Sequence, residues 1–331
     1  MLRRVMQVSA LLGLAGALWL FWQQGPAPLE ALATTGVAGI ALVVLVHIAQ
    51  LVFTGLGWHA IAGTEVAIPA RTYIWTRWIR ESVSSLLPVA QLGGEVVGGR
   101  LLVLSGAKAT EAAASTTVDL TVEALTLVVF IFIGLGYTVL TGTGQGLVGY
   151  TLIGLAAFIP AVIALLALQR NGLVHLIERL ERWLKRHWPH LDTHALHDLH
   201  EGIAASYRNP RGLVMGLGWH LAGWLGGVVE IYAMAAVLGQ PISWGQALII
   251  ESLGQAIRSA AFFVPAGLGV QEGSLLLLAK ELGLSPGTGL AISLVKRVRE
   301  LVLGVPGLLA WQFIESGRWS RFNRSNPGRT R

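Results

Sequence analysis

The sequence predicts an all-α polytopic membrane protein, with about six transmembrane helices and two re-entrant broken-helix hairpins arranged in an inverted repeat. Three observations carry that prediction: a composition poor in charge, six apolar runs of spanning length, and a second half that repeats special residues of the first. Of 331 residues, 53% are hydrophobic and only 13% are charged, against roughly 25% charged in a soluble globular chain. The 41 glycines suit close packing of membrane helices. There is no cysteine, which excludes disulfides, thiolate metal sites and cysteine nucleophiles. The net charge of +6 sits in short blocks between apolar runs, a pattern of membrane topology and not of a nucleic-acid partner.

A helix rises ~1.5 Å per residue, so about 20 apolar residues cross a ~30 Å hydrocarbon core. The first run, residues 5–22, follows Arg3 and Arg4. It exceeds the roughly 7–15-residue core of a signal peptide. The small-x-small site Ala31-Leu32-Ala33 also lies well beyond it, so a retained first helix is expected. Further spans are expected at 36–62, 112–139, 146–168, 212–239 and 286–314. Two more apolar stretches, 72–106 and 246–283, are interrupted by Pro88 with Gly93 and Gly94 and by Pro265 with Gly267 and Gly269. Proline lacks an amide donor and glycine is a weak helix former, so each stretch should break into two half-helices. Broken backbone at membrane depth is tolerated only inside protein or beside a wet cavity. Both stretches therefore read as re-entrant hairpins.

Lysine and arginine set the orientation. They fall at Arg3 and Arg4, at Arg71, Arg77 and Arg80, across 170–211, and from Arg318 to Arg331; the connections near 23–35, 140–145, 240–245 and 284–289 have none. Both termini are then cytoplasmic, the first hairpin opens inward and the second outward. Residues 1–315 form one membrane domain, with repeat one over about 36–139 and repeat two over about 212–314, and 316–331 is a basic cytoplasmic tail. Arg258 and Lys280 fall in the second hairpin and should line its buried or wet side. Within the polar loop 169–211, Leu173, Leu176, Ile177, Leu180, Trp183 and Leu184 lie opposite Arg179, Arg182 and Arg186, the pattern of an interfacial amphipathic helix.

The repeat emerges when the chain is shifted against itself by 177 positions: Pro88 falls on Pro265, Glu95 on Glu272, Gly106 on Gly283 and Glu123 on Glu300, without a gap. Apolar positions follow, such as Leu87 with Val264 and Val118 with Val295. In the expected topology the two units are inverted relative to each other. Inverted repeats whose broken helices meet near the midplane are a recurring plan of secondary transporters.

Ionisable residues at membrane depth usually face a bundle interior or a wet cavity. Asp119 and Glu123 share a face of the third span, as Lys296, Arg299 and Glu300 do on the last, with Arg297 about 100° away. The repeat sets Asp119 opposite Lys296; Glu95 and Glu272 lie beside the breaks, and Glu81, Glu230, Glu251 and Arg258 complete the set. Two readings stay open. In one, Lys296, Arg297 and Arg299 bind an anionic or polar headgroup in a central site, with half-helix amino termini adding positive dipole ends. In the other, the charges are structural ion pairs locking helices together.

His187, His190, His194, His197 and His200 have partial metal-ligand spacing, but a solvated helix face accounts for them, and no metal or other cofactor is expected. His47, His59 and His220 lie within spans and read as packing residues. A nucleophile elbow, a P-loop and a dinucleotide fingerprint are all absent from the sequence.

Ser84-Ser85-Leu86-Leu87-Pro88 leading to Gly93-Gly94-Glu95, and Pro265-Ala266-Gly267-Leu268-Gly269-Val270-Gln271-Glu272-Gly273, resemble the paired signatures of a flippase-like family. That family is typified by the membrane region of lysylphosphatidylglycerol synthases, and the chain is most similar to its stand-alone members associated with hopanoid biosynthesis. The resemblance implies movement of a lipid or lipid-linked molecule, with a hopanoid or related amphiphile as cargo, in a bacterial cytoplasmic (inner) membrane. It marks Pro88, Gly93, Gly94, Glu95, Pro265, Gly267, Gly269 and Glu272 as site elements. The synthases carry a soluble aminoacyl-transfer domain after their membrane part. Here only the basic tail follows the last span, so an enzyme is not expected. Membrane lipids are the expected partners, lipid-biosynthesis enzymes a second set, and a scaffold for such enzymes the alternative function.

Overall fold

The structure is a computed structural model that describes residues 22, 27–63, 68–87, 92–167, 194–261, 264 and 267–317. Among these the chain is all-helical, without a strand. The helices are α1 (Ala27–Ala62), α2 (Ala70–Leu86), α3 (Leu92–Leu104), α4 (Ala109–Thr141), α5 (Leu147–Ala167), α6 (His194–Tyr207), α7 (Pro210–Val237), α8 (Trp244–Ala260), α9 (Val270–Glu281) and α10 (Pro286–Glu315). The expected first span (Trp22 apart), the amphipathic segment over 173–184, Pro88, Pro265 and the tail beyond 317 lie outside the described residues.

Among the described residues, three helices are long and apolar enough to cross a membrane: α1 from Thr35 onward, α4 and α7. Gly36, at φ 64°, sets off the first residues of α1 from that span. α5 has 21 residues with Pro160 inside it. α10 has 30 residues, and its middle carries Lys296, Arg297, Arg299 and Glu300. The 13 residues of α3 and 12 of α9 extend about 20 and 18 Å, short of a ~30 Å hydrocarbon core. The outer surface exposes Leu45, Val96, Phe132, Ile153, Val214 and Leu309, an apolar belt suited to lipid.

Helices α1–α4 and α7–α10 follow the same order of lengths. A shift of 177 residues brings the start of α4 onto the start of α10, and the end of α3 onto the end of α9. Packing follows the same plan. The first helices of the two halves, α1 and α7, lie along each other; α2 pairs with α3 as α8 does with α9. The last helix of each half packs on the first two of the other: α10 on α1 and α2, and α4 on α7 and α8.

Glycines allow these close approaches. A Cβ on Gly94 would collide with the Arg80 carbonyl oxygen and Ser84 Oγ between α3 and α2, and one on Gly289 would strike the Leu275 carbonyl between α10 and α9. Gly94→Leu should therefore push α3 off α2 and destabilise the protein by about 1–3 kcal/mol, as overpacking of a filled site does. A lowered thermal midpoint in detergent, measured against Gly99→Leu at a more open site, checks this.

Gly93 and Gly94 were expected at the first break. They instead lie inside the first turn of α3, where their small size matters more than their freedom. The second break does use glycine freedom: Gly267 and Gly269 adopt φ of 58° and 76°, which other residues reach only with strain. Part of the polar loop is ordered as α6, whose Ile203 is buried with Ala114 and Val118 of α4.

Candidate functional site

The spacing of Asp119 and Glu123, one helical turn apart, turns both carboxylates to one side of α4. Arg80 of α2 meets them there, donating to Asp119 Oδ2 at 2.7 Å and Glu123 Oε2 at 2.9 Å. The same guanidinium lies 2.6 Å from Glu95 Oε1 on α3 and over the Trp58 ring, 5.4 Å from its centroid. Arg77, one turn before Arg80, forks onto both oxygens of Glu123. His220 Nε2 of α7 completes the group at 2.9 Å from Asp119 Oδ1. Asp119 and His220 are wholly buried, so the Asp119 carboxylate relies on these partners in place of water.

A second network lies across α1, α2, α7 and α10. Arg299 Nη1 donates to Glu230 Oε1 at 2.6 Å and lies 2.6 Å from His47 Nδ1. Gln50 Nε2 donates to Glu230 Oε2 at 2.6 Å. His47 Nε2 is 2.7 Å from Glu81 Oε1. Farther along α10, Arg297 donates to Glu272 Oε1 at 3.0 Å and Glu300 Oε2 at 2.9 Å, and Arg299 Nη2 stands 3.6 Å from Glu300. On the α8 side, Lys296 Nζ donates to Glu251 Oε2 at 2.8 Å, and Arg258 donates to Gln271 at 3.1 Å.

The expected residues thus divide between two networks instead of forming one central site. Asp119, Glu123 and Glu95 join Arg77 and Arg80, while Lys296, Arg297, Arg299, Glu300 and Glu272 join the α7–α10 half. Asp119 and Lys296, opposed by the repeat, do not meet. The α9 amino terminus is not left free for an anion, because Glu272 Oε2 accepts the Gly269 N–H at 2.8 Å. Lys296, Arg297 and Arg299, the residues expected to bind a headgroup, are all engaged by carboxylates; Arg258, expected beside them in the second hairpin, has none within 4 Å among the described residues. The described residues hold no group of metal-ligating side chains.

By sequence, Arg77 and Arg80 read as markers of a cytoplasmic connection and His47 and His220 as packing residues. All four are buried network members. A signal was present: Arg77 and Arg80 are one turn apart on a helix-compatible stretch, as are their partners Asp119 and Glu123.

A family model described as the lysylphosphatidylglycerol synthase TM region matches residues 6–307. The chain belongs to that family. It is accordingly a membrane protein related to lipid metabolism or transport, and the matched residues include those of both networks. No curated protein and no solved structure matches the chain.

Proposed function

We propose that the chain moves a lipid or lipid-linked amphiphile between leaflets of a bacterial cytoplasmic membrane, without a nucleotide cofactor. One observation carries this reading: buried contacts between ionisable side chains join the two halves. Arg299 of α10 reaches Glu230 of α7 within its own half and His47 of α1 in the other; Asp119 of α4 reaches His220 of α7. Charges shared across a seam between repeats can change partners when the halves rock, the motion by which inverted repeats give alternating access. In this reading the chain has six spans with both termini cytoplasmic, and the two helix pairs α2–α3 and α8–α9 are re-entrant hairpins, since α3 and α9 are too short to cross. A hopanoid or related amphiphile is the proposed cargo, by resemblance to the hopanoid-associated members of the family.

A second reading, a scaffold for lipid-modifying enzymes, is favoured by the paired state of Lys296, Arg297 and Arg299, which leaves no free charge on α10 for a headgroup. Purified protein in liposomes with fluorescent lipid analogues, and separately with a hopanoid, separates the two. We expect exchange by the wild type and a loss of about ten-fold or more in Glu272→Gln, which removes one charge-assisted bond worth about 1.5–3 kcal/mol. The double variant Glu251→Gln with Lys296→Met, which removes a buried pair without stranding a charge, should behave likewise. Wild-type protein that is folded and inserted yet exchanges no lipid would favour the scaffold.

A further inference from the structure

His47 holds a contradiction that only a proton resolves. Its Nδ1 lies 2.6 Å from Arg299 Nη1 and 3.0 Å from Glu230 Oε2. A neutral ring carrying its proton on Nε2 donates to Glu81, 2.7 Å away, and accepts from Arg299 through Nδ1. A protonated ring donates through both nitrogens; it then bonds Glu81 and Glu230 and turns an N–H toward the guanidinium. The two arrangements exclude each other at Nδ1.

We propose that His47 is a proton-binding site that controls the seam between α1 and α10: the neutral ring ties Arg299 to α1, and the protonated ring releases it. The groups around it come from every charged neighbour. Glu81 stands on α2, Glu230 on α7, and Arg299 on α10 with Glu300 behind it; Gln50, one turn along α1, holds Glu230 at 2.6 Å. Lys296 shares α10 but is taken by Glu251 of α8. α4 also packs on α1, yet no other carboxylate lies within 4 Å of the ring among the described residues. The two networks together set eight carboxylates against five arginines and lysines, an excess of negative charge that a protonated histidine offsets.

A route for the proton is present. His47 lines a crevice with Trp78, Glu81, Ser85, Arg299 and Glu300, and the Glu81 side chain is 37% exposed. Water in the crevice delivers the proton to His47 Nδ1 once Arg299 withdraws, while Nε2 keeps its own proton toward Glu81; the proton leaves by the same path, with no other group oxidised, reduced or transferred. Because α10 belongs to one half and α1 to the other, releasing this tie loosens the halves on the crevice side. The consequence for lipid movement rests on the transporter reading above; the proton-driven change at the seam does not.

The chain has no cysteine, so a labelled pair can be introduced cleanly. We would place spin labels at Leu45→Cys on α1 and Val305→Cys on α10, both outward-facing, and measure their separation in nanodiscs from pH 5 to pH 8, the range in which histidine changes charge. Two distance populations should exchange with a midpoint in that window, and His47→Gln should hold one population throughout. An unchanged distance in the wild type, or a transition that survives His47→Gln, overturns the proposal. If His47→Gln fails to insert, Glu230→Gln keeps the histidine but removes the anion facing Nδ1. Its midpoint should be displaced, and one left at the wild-type pH overturns the proposal equally. No lipid exchange enters this measurement. A pH-dependent distance without exchange therefore counts against the transporter reading alone, and exchange with a fixed distance counts against the His47 site alone.

Discussion

Arg80→Ala should cost the fold about 3–5 kcal/mol, the range for stripping one partner from a buried ion pair. The guanidinium is only 4% exposed and serves Asp119, Glu95 and Glu123, on two helices besides its own. Without it Glu95 keeps no cation within 4 Å among the described residues, and Asp119 retains His220 and a longer 3.8 Å approach from Arg77. The expected result is a protein that aggregates in detergent or melts far below the wild type. A double-mutant cycle with Glu95→Gln sharpens the test. Removing the carboxylate that Arg80 strands should restore part of the loss, so the two changes combine to less than their separate costs. Strict additivity would show that Arg80 and Glu95 are neighbours without energetic coupling.

The carboxylates and the α10 cations of this chemistry were legible in the sequence, and Arg77 and Arg80 were not. Glu95 and Glu272, and Glu123 and Glu300, obey the 177-residue shift, and the structure uses each pair alike. Glu95 and Glu123 share Arg80, while Glu272 and Glu300 share Arg297. The shared cation, however, comes from α2 in one half and from α10 itself in the other. A self-comparison can find only what is repeated, and the arginines are not. Composition hid them a second way. An arginine near the end of an apolar run is most simply explained by the cytoplasmic charge bias, and nothing local distinguishes that from a guanidinium turned inward. The histidines failed for a related reason. His47 meets Glu230 across 183 positions, and no periodicity within one helix announces a partner at that distance. The helix boundaries fared better, because they depend on local signals: Ser285 with Pro286 caps α10, and Ser243 with Gln246 caps α8.

Arg299→Lys should leave the protein folded and inserted while lowering lipid exchange by about ten-fold to a hundred-fold. Lysine keeps the charge, so Glu230 remains compensated and the penalty that makes Arg80→Ala so costly is avoided. What it cannot keep is the planar fork. Arg299 uses Nη1 toward both Glu230 and His47 and directs Nη2 toward Glu300. A single ammonium can hold Glu230, but it no longer spans from Glu300 on α10 to His47 on α1. Loss of one charge-assisted bond is worth about 1.5–3 kcal/mol, which sets the fold-change. Arg297→Lys gives the comparison. Its partners Glu272 and Glu300 both lie within its own half, and lysine keeps the charge they need, so its substitution should lower exchange far less than Arg299→Lys, and less than Glu272→Gln, which leaves the buried Arg297 short of a carboxylate. Equal losses at the two positions would mean that the amount of buried charge on α10, and not its reach across the seam, determines activity.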